Sequence, residues 1–383
     1  MRVARPEASV KVDPHIAIVS STLRGVPGLD ADAVVIGAGI TGAAAARALA
    51  QDGRAVVLLE RLHVGNDHGS SHGTSRIFRL SYPDKRYVRL AQSALGGWRE
   101  LEAECGTELL VTTGSLDLGG FAASNARALS SSGVSFEMVD HAAANARWPL
   151  RLDAGEQALH QPDAGTILSD RALRAFVDGA VAEGASLHEQ TEVLAISDER
   201  AGARIDSSAG TIRCRVVVVA AGAWSAGLLR PLGIELPVIP TRETVAHFAA
   251  PMSEDFPCVV DDATLAGDVD PGRRRSGSLT YALSSPGLGV KIGLHHSGPV
   301  ADPDDTGVPD PGIVAWASTW IARRVSNASA EPARVETCLY TNTADESFVL
   351  ARHGRVVVAS ACSGHAFKFA PAIGRTVAAL AAN

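Results

Sequence analysis

Short apolar runs and longer helical repeats alternate along the chain, and this pattern predicts a mixed α/β protein. Residues 33–36 and Val56–Leu59 are apolar at every position, which is typical of strands buried on both faces of a parallel sheet. An alanine-rich helical stretch separates these two runs, and residues 85–105 predict a long helix. The chain therefore begins with a strand, a helix, a second strand and a second helix.

The remaining pattern predicts two domains built from alternating segments. Residues 112–166 and 245–342 are divided by Pro and Gly into short strands, with one helix near 311–325. Between and after them, a helix and apolar strands return to the first sheet, and Pro371 lies in the first turn of a last helix. We expect an α/β fold in which a domain with a parallel central sheet is interleaved with a mostly antiparallel α+β sheet domain.

The domain boundaries are predicted from the same segments. An extension that contains a short predicted strand at 12–20 precedes the first domain. The predicted segments are the extension (1–30), the first domain (31–110, 169–243 and 344–383) and the second domain (111–168 and 244–343).

Composition excludes several classes of function. The net charge is −7 with both signs interspersed, and the run of three arginines at 273–275 is read as a solvated loop, so we expect neither nucleic acid nor an anionic membrane as a partner. The sequence has no long apolar span and no secretory signal, which predicts a cytoplasmic protein. Its five cysteines are widely spaced, so we expect reduced thiols, no disulfide framework and no metal site.

A glycine-rich turn after the first strand predicts a dinucleotide site. Gly37, Gly39 and Gly42 follow the pattern in which glycines let the backbone approach a pyrophosphate at a helix N-terminus. Glu60 directly follows the second strand, where its carboxylate can accept the ribose hydroxyls. Residues 215–221 predict another buried strand that ends at Gly222, and this second signal matches proteins that bind FAD through two dinucleotide-binding motifs.

Further segments carry a family resemblance. They are residues 69–79 (GSSHGTSRIFR), 290–295 (VKIGLH), 338–343 (CLYTNT) and 363–369 (SGHAFKF). In this order the chain resembles the monomeric sarcosine oxidase and N-methyltryptophan oxidase family, from about residue 32 to 376. The resemblance implies a monomeric FAD-dependent oxidase that oxidises an N-methyl or cyclic secondary amino acid to an imine and reduces oxygen to hydrogen peroxide.

By this resemblance, Cys338 is the residue bonded through sulfur to the flavin ring. The bond requires a thiolate, and a nearby cation is expected to lower the thiol pKa. The alternative is an inert thiol buried in a strand.

Basic residues are predicted to bind the substrate and the cofactor. The resemblance assigns Arg79 and Lys368 to the substrate carboxylate, because a guanidinium offers two parallel hydrogen bonds and an ammonium adds a point charge. It places His72 and Arg76 at the flavin ring, with Gly364 and Lys368 also on the cofactor side. Arg79 could instead be a surface loop residue, and His72 could only order its loop.

The resemblance places Lys291 beside the flavin, where a fixed cation assists the reaction with oxygen. A solvent-facing strand lysine is the alternative. His295, Tyr281 and Tyr340 are predicted to shape the amine end of the pocket and to help keep the amine neutral. His296 and His353 are predicted to lie at the surface.

Two other functions remain open at this stage. One is a flavin dehydrogenase that passes electrons to a protein or a quinone, and the other is a non-catalytic flavin-binding subunit. The combination of Arg79, Lys368, Lys291, His295 and Cys338 argues against the subunit, since a scaffold needs no carboxylate-binding residues. The sequence does not identify the substrate side chain.

Overall fold

The computed structural model describes residues 28–250, 255–262 and 279–382. Most of the predicted extension, its predicted strand at 12–20 and the arginine run at 273–275 lie outside the described residues.

The first sheet has eight strands with a parallel centre. Strand β1 (Ala31–Ile36) pairs in parallel with β2 (Val56–Leu59) and β12 (Gly210–Val219), and β12 also pairs in parallel with β19 (Val356–Ser360). Antiparallel strands complete the sheet beyond β12 and β19. Its strands are β1 (Ala31–Ile36), β2 (Val56–Leu59), β9 (Ser186–His188), β10 (Val193–Glu199), β11 (Gly202–Ser207), β12 (Gly210–Val219), β18 (Val349–His353) and β19 (Val356–Ser360).

The second large sheet is mostly antiparallel and also has eight strands. Its strands are β5 (Ser115–Leu118), β6 (Glu137–Asp140), β7 (Gln157–Gln161), β13 (Ile239–Phe248), β14 (Cys258–Asp261), β15 (Thr280–Ser285), β16 (Gly289–Leu294) and β17 (Pro332–Asn342). A small sheet consists of β3 (Ser75–Phe78), β4 (Leu110–Val111) and β8 (Gly165–Leu168). The predicted mixed α/β fold with one parallel-centred and one mostly antiparallel sheet is confirmed.

Helices cover both large sheets. They are α1 (Ile40–Gln51), α2 (Lys85–Cys105), α3 (Ala122–Ser131), α4 (His141–Arg147), α5 (Ser169–Ala182), α6 (Ser225–Leu229), α7 (Pro311–Arg324) and α8 (Ala370–Ala382). Helices α1, α2, α5 and α8 share one apolar core, whereas α7 contributes to a separate core with the second sheet. Within the described ranges, no helix combines the length and the apolar character needed to span a bilayer.

The segment between residues 112 and 166 differs from its prediction. We expected only strands there, but the structure has two helices, α3 and α4, between the strands of the second sheet. Both are short, and an Asp140 side chain that accepts from the Ala143 N–H begins α4. Helices of seven to ten residues show too few turns for a clear period, so the turn residues around them dominated the pattern.

Parallel pairing brings three motif segments to one edge of the first sheet. Ile36, Leu59 and Val219 are the last residues of β1, β2 and β12, and they lie in register. The glycine turn, Glu60 and Gly222 follow these strand ends. Ligands in open α/β sheets bind at the carboxyl ends of the strands, so this edge is where a dinucleotide site is expected.

Helix α8 lies unusually close to its neighbours. A Cβ atom added at Gly374 would lie 2.5 Å from the Ala44 carbonyl oxygen of α1, and one added at Gly97 would lie 2.5 Å from Pro371 Cβ. The Trp98 indole N–H of α2 donates to the Lys368 carbonyl at 2.8 Å. Small residues and this hydrogen bond therefore fix the segment that carries Lys368.

We predict that Gly374→Ala destabilises the protein although Gly→Ala in a helix interior ordinarily stabilises by about 0.5–1 kcal/mol. The new methyl group would meet the α1 backbone, and overpacking of this kind costs about 1–3 kcal/mol. The measurement is the free energy of unfolding in urea. Gly96→Ala in α2 is the matched control, because nothing lies within 4 Å of its Cβ position and it should stabilise. Equal effects of the two substitutions would contradict the prediction.

Candidate active site

One large cavity lies between the two large sheets. Its volume is about 490 Å³, within the range of small-molecule sites. All the predicted site residues except Gly42 line it; they are Gly37, Gly39, Glu60, His72, Arg76, Arg79, Gly222, Tyr281, Lys291, His295, Cys338, Tyr340, Gly364 and Lys368. The structure therefore brings together residues that are more than three hundred positions apart in the sequence.

The glycine turn packs tightly against its own helix. Gly37 has a left-handed φ of +96°, and a Cβ atom there would lie 2.7 Å from the Ala220 carbonyl oxygen. A Cβ atom at Gly42 would lie 1.8 Å from the Gly37 oxygen, so Gly42 packs the turn onto α1 and does not reach the cavity. The Ser71 hydroxyl accepts from the Ile40 N–H at 3.0 Å. The long loop before β3 thereby closes over the helix N-terminus.

Glu60 connects the end of β2 to the glycine turn. Its two carboxylate oxygens accept from the Ala38 N–H at 2.9 Å and the Leu62 N–H at 3.0 Å. Each oxygen retains a further lone pair, so the carboxylate can still accept hydroxyl groups. Gly222 lines the opposite side of the turn with a φ of +53°, and the left-handed backbone alone favours glycine there because nothing lies within 4 Å of its Cβ position.

Arg76 orders the loop between β2 and β3. Its guanidinium donates to the carbonyls of Ser70 at 2.9 Å, His72 at 2.6 Å and Ser75 at 2.8 Å. The neighbouring His72 has no hydrogen-bond partner for its Nε2 among the described residues. Burial, then Arg76 and Lys291, lower the pKa of His72 to about 4, so the ring in the cavity wall is neutral.

Lys291 is buried in the cavity wall. The residue is 5% exposed, and its Nζ donates to the Ser75 carbonyl at 3.1 Å. The alternative of a solvent-facing strand lysine is therefore wrong. Burial and the nearby Arg76 lower the pKa of Lys291 to about 7, against the opposing effects of Cys338 and Glu336.

Glu336 and His247 were not recognised from the sequence. The carboxylate of Glu336 lies near the two cations. A Cβ atom added at Gly73 would lie 3.4 Å from Arg76 Nη1, 3.6 Å from Glu336 Oε1 and 4.0 Å from Lys291 Nζ. His247 Nε2 lies 3.2 Å from Glu336 Oε1. The residue His247 pairs with Lys291 on the neighbouring antiparallel strand. This contact with His247 and the charge of Lys291 lower the pKa of Glu336 to about 2. The available signal was a carboxylate two residues before Cys338 in a strand.

Cys338 is half-buried beside these cations. Burial raises the pKa of its thiol to about 11, although Arg76 and Lys291 act in the opposite direction. The nearby cations thus lower the thiol pKa as expected, but burial has the larger effect and the net pKa is raised. The sequence showed the cations but not the extent of burial, which here is the larger effect.

Aromatic and imidazole side chains form the adjoining wall. His295 Nδ1 lies 3.3 Å from the Tyr340 hydroxyl, and Tyr281 lines the same part of the cavity. Burial raises the pKa of both phenols and holds the pKa of His295 well below its ordinary value. A Cβ atom at Gly364 would lie 2.2 Å from Tyr340 and 2.6 Å from His295, so only glycine lets the two rings pack there.

Of the two histidines expected at the surface, His353 is exposed. The side chain of His296 is only 10% exposed, and its ring contacts the rings of His295 and Tyr340. The prediction for His296 is therefore wrong, because the chain turns back toward the cavity after β16.

Arg79 is paired within the protein. Its guanidinium donates to the Ser81 carbonyl and lies 3.9 Å from an oxygen of Asp117, which is fully buried. It also stacks 4.4 Å from the centre of the Tyr82 ring. The alternative of a surface arginine is wrong, because its side chain is 13% exposed. Asp117 was not recognised from the sequence, although it is an acid between two leucines in a strand.

Lys368 also lies over the Tyr82 ring, with its Nζ 5.8 Å from the ring centre. It donates to the His365 carbonyl at 2.7 Å. Burial, then the charge of Arg79, hold the pKa of Lys368 well below its ordinary value. No ion pair of Lys368 occurs within the described ranges, so the anionic partner expected from the sequence is not supplied by this part of the chain.

Comparisons with known proteins agree with this geometry. Residues 32–380 match the family described as "DAO: FAD dependent oxidoreductase". Human peroxisomal sarcosine oxidase is 32% identical over 366 residues, covering 90% of each chain, and monomeric sarcosine oxidase from Bacillus sp. (strain B-0618) is 30% identical over 368 residues, covering 91% and 92%. The structure of NikD, "an unusual amino acid oxidase essential for nikkomycin biosynthesis", superposes with a TM-score of 0.80 at 29% identity, covering 92% of this chain and 93% of NikD.

The lowered pKa of Lys291 predicts a pH-dependent gain in stability when the amine is removed. Between pH 7 and 10.5 the unfolded chain binds a proton that the folded chain lacks, so the cost of burying Lys291 is full below pH 7 and falls as the pH rises. Lys291→Met should therefore raise the free energy of unfolding by a few kcal/mol at pH 7, at about 1.4 kcal/mol per pKa unit. The gain should shrink toward pH 10.

Urea unfolding of both proteins between pH 7 and 10 checks this, with equal cofactor content. This window lies above the lowered pKa values of His72, His247 and Glu336. Lys85→Met, at an exposed site, controls for loss of a charge without loss of burial. A gain at Lys291 that stays constant across the window would show that the amine is not desolvated.

Proposed function

The chain belongs to the DAO family of FAD-dependent oxidoreductases, and from that premise we propose that it is an oxidase of secondary amino acids. In the proposed reaction, an N-methyl or cyclic amino acid loses two electrons and two protons to give an imine, which water hydrolyses. Oxygen receives them and becomes hydrogen peroxide. One observation carries the proposal: the buried cations Arg79 and Lys368 both lie over the Tyr82 ring, in the same cavity that the glycine turn lines.

The cavity residues fit FAD. The tight turn at Gly37, the N-terminus of α1 and the Glu60 carboxylate would hold the dinucleotide part, and His72, Arg76 and Cys338 would hold the ring. When bound, FAD supplies the two-electron acceptor that the side chains lack. We propose that Cys338 bonds to it through sulfur. The thiol must first lose its proton, and Arg76 and Lys291 are the cations that favour the thiolate.

Arg79 and Lys368 would bind the substrate carboxylate. Lys368 has no ion pair within the described ranges, and Arg79 holds its acid at the long distance of 3.9 Å. A carboxylate between them would therefore make charge-assisted hydrogen bonds that the protein itself leaves incomplete. The Tyr82 ring beneath both cations would fix the orientation of the acid end.

His295 and Tyr340 would bind the amine end. A protonated amine has no lone pair to assist the loss of hydride from carbon, so the amine must react in its neutral form. The wall there is uncharged, because His295 is neutral at ordinary pH and the Tyr340 phenol keeps its proton. A neutral wall beside several buried cations disfavours an ammonium group and so helps to keep the amine neutral.

Lys291 would serve the reaction with oxygen. Its Nζ is held by the Ser75 carbonyl, near Arg76, and a cation fixed there stabilises negative charge that develops on oxygen. This placement supports an oxidase over a dehydrogenase that uses another acceptor. The acid-binding and amine-binding walls likewise support a catalyst over a flavin-binding subunit. We also propose that the protein acts as a cytoplasmic monomer.

A substrate screen tests the function. The purified yellow protein should produce hydrogen peroxide with one or more of sarcosine, other N-methyl amino acids, proline and pipecolate. Each substrate is also tested without oxygen and with an artificial electron acceptor. Turnover only with the artificial acceptor would replace the oxidase by the dehydrogenase, and no reduction of the cofactor by any secondary or primary amino acid would overturn the proposal.

We predict that Cys338→Ser releases the flavin. In the wild type the yellow colour should stay with the protein pellet after acid precipitation, because a thioether survives denaturation. In the variant the colour should pass to the supernatant. Cys362→Ser is the matched control, since Cys362 also lines the cavity. Wild-type flavin found wholly in the supernatant would contradict the covalent bond.

We predict that Lys368→Met weakens substrate binding far more than it changes folding. Loss of one charge-assisted contact should raise KM by about 10- to 100-fold, equivalent to about 1.5–3 kcal/mol. The decarboxylated amine should be a poor substrate for wild type and should lose little more in the variant. A wild type that oxidises the acid and its decarboxylated amine equally well would show that these cations do not bind the carboxylate.

We predict that Lys291→Met separates the two half-reactions. Reduction of the cofactor by substrate under nitrogen should change little, whereas reoxidation by air should slow by about 10²-fold, equivalent to about 3 kcal/mol. Stopped-flow absorbance measures both rates. Unchanged reoxidation would leave Lys291 without a role in the oxygen reaction and would reopen the dehydrogenase alternative.

A further inference from the structure

Two consecutive histidines present their rings to the same side. His295 and His296 directly follow β16, and consecutive residues of a strand would point to opposite faces. His296 instead has a left-handed φ of +56°, which turns its ring toward that of His295. The ring centres lie 4.0 Å apart at an angle of 75°. The backbone turn therefore pairs the imidazole of His296 with that of His295, which lines the cavity.

Glu346 joins this pair from the turn between β17 and β18. Its φ is also left-handed, +61°, and its side chain is 56% exposed. One ligand atom from each of His295, His296 and Glu346 lies within 4.8 Å of the other two. Two nitrogen atoms and one carboxylate oxygen thus converge beside His295, which itself lines the cavity.

The hydrogen bonds show which nitrogen of His296 is free to bind a ligand. His296 Nε2 lies 3.2 Å from the Ser363 carbonyl, which can only accept, so Nε2 must carry the hydrogen. In a neutral ring Nδ1 is then an acceptor, and it faces the Glu346 carboxylate at 3.9 Å. Two acceptors that face each other repel unless a proton or a metal ion lies between them.

The donor set is typical of a transition-metal site. Zn²⁺ binds imidazole nitrogen and carboxylate oxygen at about 2.0–2.2 Å, with two histidines and one glutamate as a common set that leaves a fourth position open. Glu346 is exposed and can close the remaining distance by a change of rotamer. Imidazole nitrogen also binds Zn²⁺ in preference to the hard cations Mg²⁺ and Ca²⁺.

We propose that His295, His296 and Glu346 form a zinc-binding site that closes the amine end of the cavity. A bound ion would occupy the lone pair of His295 and place a divalent charge near Tyr340. The Tyr340 hydroxyl lies 3.3 Å from the His295 Nδ1. Metal binding itself does not depend on the proposed function. The inhibition that follows from it does, since it assumes that the amine binds at His295.

Metal binding is tested on the flavin-loaded protein with Zn²⁺ and with Co²⁺ as a spectroscopic probe. Calorimetry should show one zinc site that depends on these residues, and Co²⁺ should give the visible absorption bands of a four-coordinate site. His296→Gln and Glu346→Gln should each weaken binding by at least about tenfold and abolish the cobalt bands. His353→Gln and Cys105→Ser, both at exposed positions, should leave binding unchanged.

Inhibition is tested with the same variants. Zn²⁺ should raise KM of the wild type without lowering kcat, and His296→Gln and Glu346→Gln should keep metal-free activity but lose this inhibition. Absence of zinc binding, or equal binding by wild type and both variants, would overturn the site. Binding without inhibition would overturn the closure of the cavity. If no substrate is found, the cobalt spectra still decide the site, so its failure and that of the proposed function remain distinct.

Discussion

The close approach of three backbone segments supports the remainder of the site. The turn at Gly37 lies against the carbonyl of Ala220, and Gly42 packs the same turn onto α1. A side chain at either glycine would separate α1 from the sheet. Helix α8 in turn packs on α1 at Gly374, and the segment before α8 carries Lys368. The glycine turn and the segment that carries Lys368, which are the proposed dinucleotide and substrate ends, are therefore positioned by one series of glycine contacts.

The cavity also distributes charge unevenly. Arg79 faces Asp117, and Lys291 lies near Glu336, but Lys368 has no ion pair in the part of the chain that the structure describes. Buried cations without full compensation destabilise a protein. Their retention around one cavity is consistent with a negatively charged substrate and a negatively charged cofactor.

The sequence predicted those parts of the site whose residues lie near each other in the chain or at strand ends. The glycine turn, Glu60 and Gly222 were predictable because parallel strands bring their carboxyl ends together. Glu336 and His247 were not, because their partnership is across neighbouring strands whose register the sequence does not reveal. The net rise in the thiol pKa of Cys338 was not predicted, because it comes from burial, which depends on the packed structure. His296 was misplaced, because a left-handed backbone at a histidine has no clear sequence signal.

In the proposed function, the buried Lys368 would make this cavity a receptor for an acid and not only for an anion. Because the pKa of Lys368 is held well below its ordinary value, its amine can lack a proton before a carboxylate arrives. A carboxylate beside it favours the charged form and so recruits a proton from solvent. The carboxylate and the proton then enter the cavity together, so the net charge buried there does not change. The affinity for carboxylates would consequently fall as alkali increases, although the carboxylate itself stays ionised.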